Sequence, residues 1–536
     1  MNFDYLQYPY PSQRMTTFGE KGMVATSQPL AAQAGLRILQ LGGNAIDAAV
    51  ATAACLTVVE PTSNGIGSDA FALIWTKGEL HGLNSSGPAP ERMSIEALKK
   101  KGLEGIPKLG PLSVTVPGAP AAWAEISEKH GKLPFAKLME PAIEYAESGY
   151  PVSPTLGKYW KEGYSLYQKG IEKDEFEAWC KVFAPNGKAP GIGEIWQSPG
   201  HADTLRKIAD TKAEAFYSGE LAEQMDRYFK NNDGFLSKKD LENFKPEWVK
   251  PIRMNYKGYD VWEIPPNGQG LIALMALNIL KGIDLGGKEE VETYHKQIEA
   301  LKLAFVDGQA HITQESKMRL KVEDLLSDGY GEDRRKLIGD MAIQPLPGKP
   351  RTGGTVYLAA ADDEGNMVSF IQSNYMGFGS GIVVPGTGIS LQNRGYNFSM
   401  DPNHVNVLEP GKKTYHTIIP GFLTKAGQPV GPFGVMGGFM QPQGHLQVMV
   451  NTIDYQMNPQ AALDAPRWQW SDNKTVLVEN GIQDHIVQAL ARKGHDIQVA
   501  SDNKPFGRGQ IIWKDQETGV LSGATECRTD GSVAVW

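Results

Sequence analysis

One threonine, preceded by two glycines and followed by an apolar run, concentrates this chain's capacity for chemistry: Gly353-Gly354-Thr355-Val356-Tyr357. It follows a Pro/Gly-rich connector, Pro345 to Gly354, and opens a strand predicted over Val356 to Ala361. A threonine hydroxyl is a poor nucleophile unaided. If the chain is cut between Gly354 and Thr355, the freed α-amine, with a pKa near ~8, becomes a general base beside the hydroxyl. Gly354 leaves the bond before Thr355 sterically open to attack by that hydroxyl. Thr352 is a rival three residues earlier, but only Thr355 opens the strand directly. On these residues alone, Gly-Gly-Thr is also an ordinary turn entering a strand.

The residues that follow favour the chemical reading. Asp362-Asp363-Glu364-Gly365-Asn366 is a polar turn and Met367 to Ser373 a second strand, which makes a hairpin with Thr355 at its leading edge. Gly377-Phe378-Gly379-Ser380-Gly381 and Gly386-Thr387-Gly388 come next, leading to Asn393-Arg394 and Asn397-Phe398-Ser399. Elsewhere stand Gly42-Gly43-Asn44-Ala45-Ile46-Asp47-Ala48, Glu60 to Gly67, Val116-Pro117-Gly118-Ala119, Glu299-Ala300-Leu301-Lys302-Leu303-Ala304-Phe305 and Gly437-Gly438. In order and spacing, nearly the whole chain resembles the gamma-glutamyltransferase family of N-terminal-nucleophile hydrolases.

The resemblance implies a four-layer αββα sandwich in which Thr355 begins a central strand. It also implies self-cleavage between Gly354 and Thr355, giving subunits 1–354 and 355–536 that share one core. Ser373 matches the position whose hydroxyl bonds the nucleophile, and Gly437-Gly438 matches the oxyanion-hole glycines. Without the resemblance, that Gly-Gly pair reads as a turn between strands.

The specificity positions depart from the pattern. Relatives acting on glutathione hold the glutamate α-carboxylate with an arginine before an Ala-Pro pair. Aligned on Ala89-Pro90, this chain has Ser86 there, and the next arginine is Arg92. Where those relatives carry an amide and an Asp, this chain has Arg394 and Asn397; their paired serines appear as His416-Thr417, and an Asn as Tyr375. Arg394 is thus either a surface residue of a glycine-rich turn or a carboxylate ligand moved to the opposite wall. A planar, bidentate guanidinium suits the second task. Met400 to Lys413 has no insertion long enough to form a lid, so an open site is expected.

Elements that must hold these residues are partly legible. Leu30 to Leu41 has helical periodicity ending at Gly42-Gly43, and Asn44 caps an Ala-rich helix. Strands are predicted at Phe71 to Trp75 and Leu80 to Leu83, and helices at Pro120 to His130, Pro134 to Glu147 and Leu271 to Lys281. Ile298, Leu301 and Phe305 define one face of another helix. Ser237 to Asp240 reads as a capping box. Val152 to Gly200 gives no clear pattern. After Thr355 strands dominate, with one late helix, Gln483 to Arg492. Pattern alone says α/β.

Composition narrows the class. With 536 residues, 41% apolar, 21% charged and a net charge of −8, the chain is globular and has no basic stripe, which excludes a nucleic-acid partner. Met1 to Gly22 lacks the apolar core of a secretory signal. Ala45 to Val59, broken by Asp47, Thr52 and Thr57, reads as a buried helix rather than a membrane span. Cys55, Cys180 and Cys527 lack metal-type spacing, and no His pair has zinc spacing, so neither metal nor cofactor is expected and a cytoplasmic setting fits. Expected partners are a small amide or gamma-glutamyl substrate and a water or amine acceptor; a homo-oligomer is compatible with the chain. The family default is a gamma-glutamyl substrate of the glutathione type. The alternatives are an acylase or amidohydrolase for another carboxylate-bearing amide, such as a cephalosporin side chain or oxamate, and a silent binding relative, which the intact Thr355, Ser373 and Gly437-Gly438 set opposes.

Overall fold

Two seven-stranded antiparallel sheets face each other at the centre of the computed structural model, which describes residues 14–168, 174–345 and 354–536. Their strands in chain order are β1 (Thr17–Gly19), β2 (Gly22–Thr26), β3 (Asp69–Thr76), β4 (Glu79–Ser85), β5 (Glu247–Val249), β6 (Ile252–Tyr256) and β7 (Tyr259–Glu263). After the connector come β8 (Gly354–Asp362), β9 (Met367–Tyr375), β10 (Gly421–Lys425), β11 (Gln428–Met436), β12 (Arg508–Lys514), β13 (Leu521–Thr525) and β14 (Ser532–Val535). One sheet runs β14-β2-β8-β9-β3-β4-β5, the other β1-β13-β12-β11-β10-β7-β6. The expected hairpin is β8–β9, with Ala361 opposite Met367, and β3 lies on its far side with Ser373 opposite Asp69. Lys77 and Gly78 both have positive φ, the two-residue turn that matches strand twist between β3 and β4.

Three apolar cores separate four layers. Met23, Phe71, Tyr357, Ile371, Phe422 and Ile512 fill the space between the sheets. Gly434 permits their close approach, since a Cβ there would sit 2.5 Å from the Tyr357 ring. Behind the β8 sheet pack α1 (Pro29–Gln40), α2 (Ala45–Val59), α3 (Ala119–His130) and α4 (Phe135–Ser148). Every residue of α2 is buried, as an all-round apolar helix requires. Its start is fixed by Asn44, whose side chain accepts from Asp47 N–H at 3.0 Å while Asp47 accepts from Asn44 N–H at 3.1 Å. Against the second sheet lie α5 (Gly270–Leu280), α6 (Val291–His311) and α7 (Met440–Ile453). Ile298, Leu301 and Phe305 of α6 are buried as their spacing predicts. The Ser237–Asp240 capping box is also present. This is the αββα arrangement.

Two expectations are corrected. Val152 to Gly200 is not irregular throughout: Pro154–Gln168 and Glu177–Phe183 are helices, joined to the core by Trp160, Trp179 and Phe183, which cluster around Phe378. Their aromatic residues carry packing that the scattered Pro and Gly conceal. Gln483 to Arg492 does form a late helix, at Asp484–Arg492, but α7 precedes it and is longer. The connector 346–353 with Thr352, and residues 1–13 of the leader reading, lie outside the described residues. Among the described residues no helix is long and apolar enough to cross a membrane.

Candidate active site

Thr355 enters β8 at a register break. Gly354 pairs with Tyr375 and Val356 with Gln372, so the single Thr355 faces two residues, Ser373 and Asn374, and the extra residue of the bulge is on β9. A bulge redirects a side chain that regular pleating would fix. The Thr355 hydroxyl lies 3.0 Å from Ser373 Oγ on β9, and both are fully buried. Ser373 Oγ also accepts the Tyr375 backbone N–H at 2.7 Å. That contact goes with a left-handed Tyr375 (φ +75°), a costly conformation for a side chain of this size. It ends β9 with the Tyr375 ring against the Arg394 guanidinium.

The oxyanion candidates sit where β11 gives way to α7, so this Gly-Gly is a strand-to-helix junction rather than a turn between strands. Gly437 has φ +143° and Gly438 φ +61°, both in the region that favours glycine. Among the described residues neither N–H is spent on a hydrogen bond. Gln269, just before α5, braces the turn by donating its side-chain amide to Gly438 C=O at 2.8 Å and to Thr417 C=O at 2.6 Å. Tyr415 OH donates to Gln269 Oε1 at 2.8 Å. Unspent N–H groups in a fixed frame are what a developing oxyanion needs.

Arg394 is not on the surface. Its side chain is fully buried, the guanidinium stacked 4.4 Å from the Tyr375 ring centre, with Nη1 donating to Thr417 Oγ1 at 2.7 Å. Nε and Nη2 make no hydrogen bond among the described residues. The nearest carboxylate oxygen, Asp69 Oδ2 at the head of β3, is 4.0 Å from Nε, too far for a hydrogen bond. Instead Asp69 Oδ2 accepts from His416 Nε2 at 3.0 Å; the other ring nitrogen, Nδ1, accepts from Ile418 N–H at 3.4 Å. Burial pushes the Asp69 carboxyl up to about 7, against the pull of Arg394. Burial likewise holds His416 well below its ordinary value and brings Arg394 down to about 10, still protonated at neutral pH.

The predicted residues therefore converge. Tyr375 OH donates to Asn397 Oδ1 at 2.6 Å, and Asn397 donates to Tyr415 C=O at 3.1 Å, which ties the Arg394 loop to the segment holding His416 and Thr417. Ser86, where an arginine was expected, is enclosed by Asn84 and Asn267: its hydroxyl donates to Asn84 Oδ1 at 2.8 Å and accepts from Asn267 Nδ2 at 3.2 Å. Residues 400–413 fold back on themselves, Lys412 Nζ donating to the Val405 and Val407 carbonyls at 2.9 Å each. Thr355 itself has no exposed surface in the continuous chain; the site opens instead beside Gly437, in a cavity of about 420 Å³ lined by Tyr159, Leu166, Met376, Phe378 and Arg508.

Asp69 and Gln269 were missed. A carboxylate between Gly67-Ser68 and an apolar strand was the available signal for the first; nothing local marks the second. Two clusters among the described residues have metal-ligand composition, His295/Glu299/His495 and Asp464/Glu526/Cys527. Each already contains a cation of the protein: Lys302 Nζ lies 2.7 Å from Glu299 Oε1, and Arg467 Nη2 lies 2.7 Å from Glu526 Oε2.

Against known proteins, the gamma-glutamyltranspeptidase family model matches residues 31–536. The chain is 38% identical to the glutathione hydrolase-like YwrD proenzyme of Bacillus subtilis, over 96% of this chain and 99% of that protein. It is 33% identical to the oxamate amidohydrolase proenzyme of Klebsiella pneumoniae, over 96% of this chain and 98% of that protein. Among solved structures, a cephalosporin acylase from Bacillus halodurans superposes with a TM-score of 0.98 at 63% identity, covering 100% of this chain and 99% of that one.

Proposed function

The chain belongs to the gamma-glutamyltranspeptidase family, and from that premise we propose that it is an acylase-type amidohydrolase: it cuts itself at Gly354–Thr355 and then hydrolyses amides whose acyl group ends in a carboxylate. In self-cleavage the Thr355 hydroxyl attacks the Gly354 carbonyl, the C–N bond breaks so that the amide becomes an ester and the Thr355 α-amine is freed, and water hydrolyses the ester to release the Gly354 carboxylate and restore the Thr355 hydroxyl. In turnover the amine takes the hydroxyl proton as Oγ1 attacks the substrate carbonyl. Gly437 and Gly438 N–H groups receive the oxyanion, and collapse expels the amine, protonated by the Thr355 ammonium. Water, deprotonated by the same amine, then releases the acid. Ser373 holds Oγ1 in line throughout.

One observation carries the choice of acyl group: Arg394 is buried with Nε and Nη2 unspent, stacked on Tyr375, the residue opposite Gly354 across the β8–β9 hairpin. Burying a guanidinium with free donors is costly unless a ligand uses them. A carboxylate offers two acceptor oxygens in matching geometry. The cavity beside Gly437 accommodates the departing amine. Two of the similar proteins, a cephalosporin acylase and an oxamate amidohydrolase, are compatible with this reading.

A gamma-glutamyl donor is the second reading, and Asp69 favours it. A gamma-glutamyl group carries an ammonium next to its carboxylate, and an ionised Asp69 near Arg394 could receive it. The two readings separate on one atom. Glutaryl-p-nitroanilide and gamma-glutamyl-p-nitroanilide differ only in that amine, and release of nitroaniline by the processed enzyme gives kcat/KM for each. The glutaryl compound is expected to be better by at least about tenfold, roughly 1.4 kcal/mol. A preference for the gamma-glutamyl compound would establish the second reading in its place.

A further inference from the structure

Asp69 is cross-strand partner to Ser373, yet no step of the mechanism uses it. It lies fully buried between two possible partners and is bonded to only one. Its Oδ2 is 3.0 Å from His416 Nε2 but 4.0 Å from Arg394 Nε, and its Oδ1 accepts from Gly87 N–H at 3.4 Å, with the Gly118 N–H also facing the carboxylate. Arg394 is therefore neutralised by a carboxylate that does not occupy its donors. This matters for a ligand. An incoming carboxylate beside Arg394 would put two anions next to a single guanidinium in a buried site, where like charges cost most.

We propose that Asp69 and His416 form a charge-balancing pair that sets acyl-group specificity: a carboxylate acyl group binds Arg394 as the pair takes up one proton from solvent, whereas an acyl group carrying its own ammonium binds without that proton. Deepening the reading above, this rests on Arg394 holding the carboxylate. The charged and titratable groups facing Asp69 are Arg394 from its loop, Lys413 and His416 from the segment before β10, and Tyr217 beside the start of α3. Lys413 has its own partner, Glu247 Oε1 at 3.0 Å, and Tyr217 OH donates to Pro117 C=O at 2.9 Å. That leaves the Asp69–His416 pair as the seat of the proton. The only bond formed is to hydrogen. Because Asp69 already sits near neutrality, the uptake falls in an accessible range. Well below about pH 7 the pair already carries the proton and binding is insensitive to pH. Above it, each pH unit weakens carboxylate binding by about tenfold, one proton being linked to each ligand.

Pentanoate and 2-aminopentanoate test this as competitive inhibitors of the processed enzyme from pH 6 to 8.5. Both carry the carboxylate at the same distance from the reacting end, and neither has an amide to be hydrolysed. The expected result is an inhibition constant for pentanoate that is level at low pH and climbs about tenfold per unit above pH 7, with 2-aminopentanoate nearly level until its own amine titrates. Asp69→Asn should flatten the pentanoate profile and tighten binding at pH 8.5. A flat profile for wild-type enzyme overturns the proposal whether or not the variant folds. If pentanoate inhibits at no pH and Arg394→Ala leaves carboxylate donors unaffected, the carboxylate reading fails first and takes this inference with it.

Discussion

Thr355 and Ser373 meet across a register break in which Thr355 faces two residues of β9, and the nucleophile is the part of the site most open to reading from sequence. Glycine, threonine and an apolar strand are adjacent, so the chemistry is local. Asp69 was not legible for the opposite reason: its partner His416 lies 347 positions away, and only the sheet brings them together. Arg394 lies between the two cases, visible as a displaced arginine but buried for reasons found in Tyr375 and Thr417. Thr355→Ala should leave a single uncut chain without activity, seen by intact-mass analysis; cleavage of that variant at the same bond would remove the mechanism. Ser373→Ala, losing one hydrogen bond to the nucleophile, should lower kcat by about 5- to 30-fold, roughly 1–2 kcal/mol. Arg394→Ala should cost carboxylate-bearing donors about 1.5–3 kcal/mol in kcat/KM, the range for a hydrogen bond to a charged group, and neutral donors far less. Asp69 limits the damage to folding in that variant, since a carboxyl already near 7 can protonate rather than stay charged. Equal losses for both donor types would make Arg394 structural. The kcat of a neutral donor should rise with pH with an apparent pKa below the ~8 of a free α-amine, because burial disfavours the ammonium form. A flat profile from pH 6 to 9 would count against the amine as base.

At the scale of elements, helices with clean apolar stripes and caps were read correctly, and α7 shows what defeats such reading. Met440–Ile453 contains Pro442, Gly444, Gln441, Gln443 and Gln447, and looks too polar for a core helix. The glutamines are nonetheless buried, because they replace a strand. Gln443 accepts from Trp470 N–H at 2.8 Å and donates to Trp470 C=O at 3.1 Å. One turn on, Gln447 does the same for Trp468, at 3.2 Å and 2.9 Å. The i, i+4 spacing on the helix thus matches the i, i+2 spacing of residues on one side of the strand Trp468–Asp472. Side-chain amides satisfy backbone groups that would otherwise be orphaned in the core. Gln443→Leu keeps the volume and helix propensity but leaves Trp470 N–H and C=O unpaired. It should destabilise the protein by about 2–4 kcal/mol, given ~1–3 kcal/mol for each buried group left unsatisfied. Chemical denaturation would measure it; a loss under about 0.5 kcal/mol would mean that the strand finds other partners.

For the whole molecule, composition and pattern gave only α/β, because nothing local states which strands share a sheet. The topology answers a question the proposed cut raises: why two chains would stay together. Strand β8, which would begin the second chain, is not at an edge; it lies between β2 and β9, paired with β2 from Leu358 opposite Thr26 to Asp362 opposite Gly22. On the other side of the hairpin, β9 pairs with β3 from Met367 to Ser373. The facing sheet also draws strands from both sides of the cut, with β7 joined to β10 and β1 to β13. Residues on both sides of the cut, among them Met23, Phe71, Tyr357 and Ile512, fill the core between the sheets. Separating the chains would expose that core and unpair central strands, which amounts to global unfolding. Processed protein should therefore run as one particle of 58.5 kDa, or a multiple of it, on native mass measurement, and as two chains only after denaturation. Its thermal melt should show one transition for both chains. Elution of the pieces as separate species in native buffer, or two resolved transitions, would show that the sheets do not hold the cut chain together.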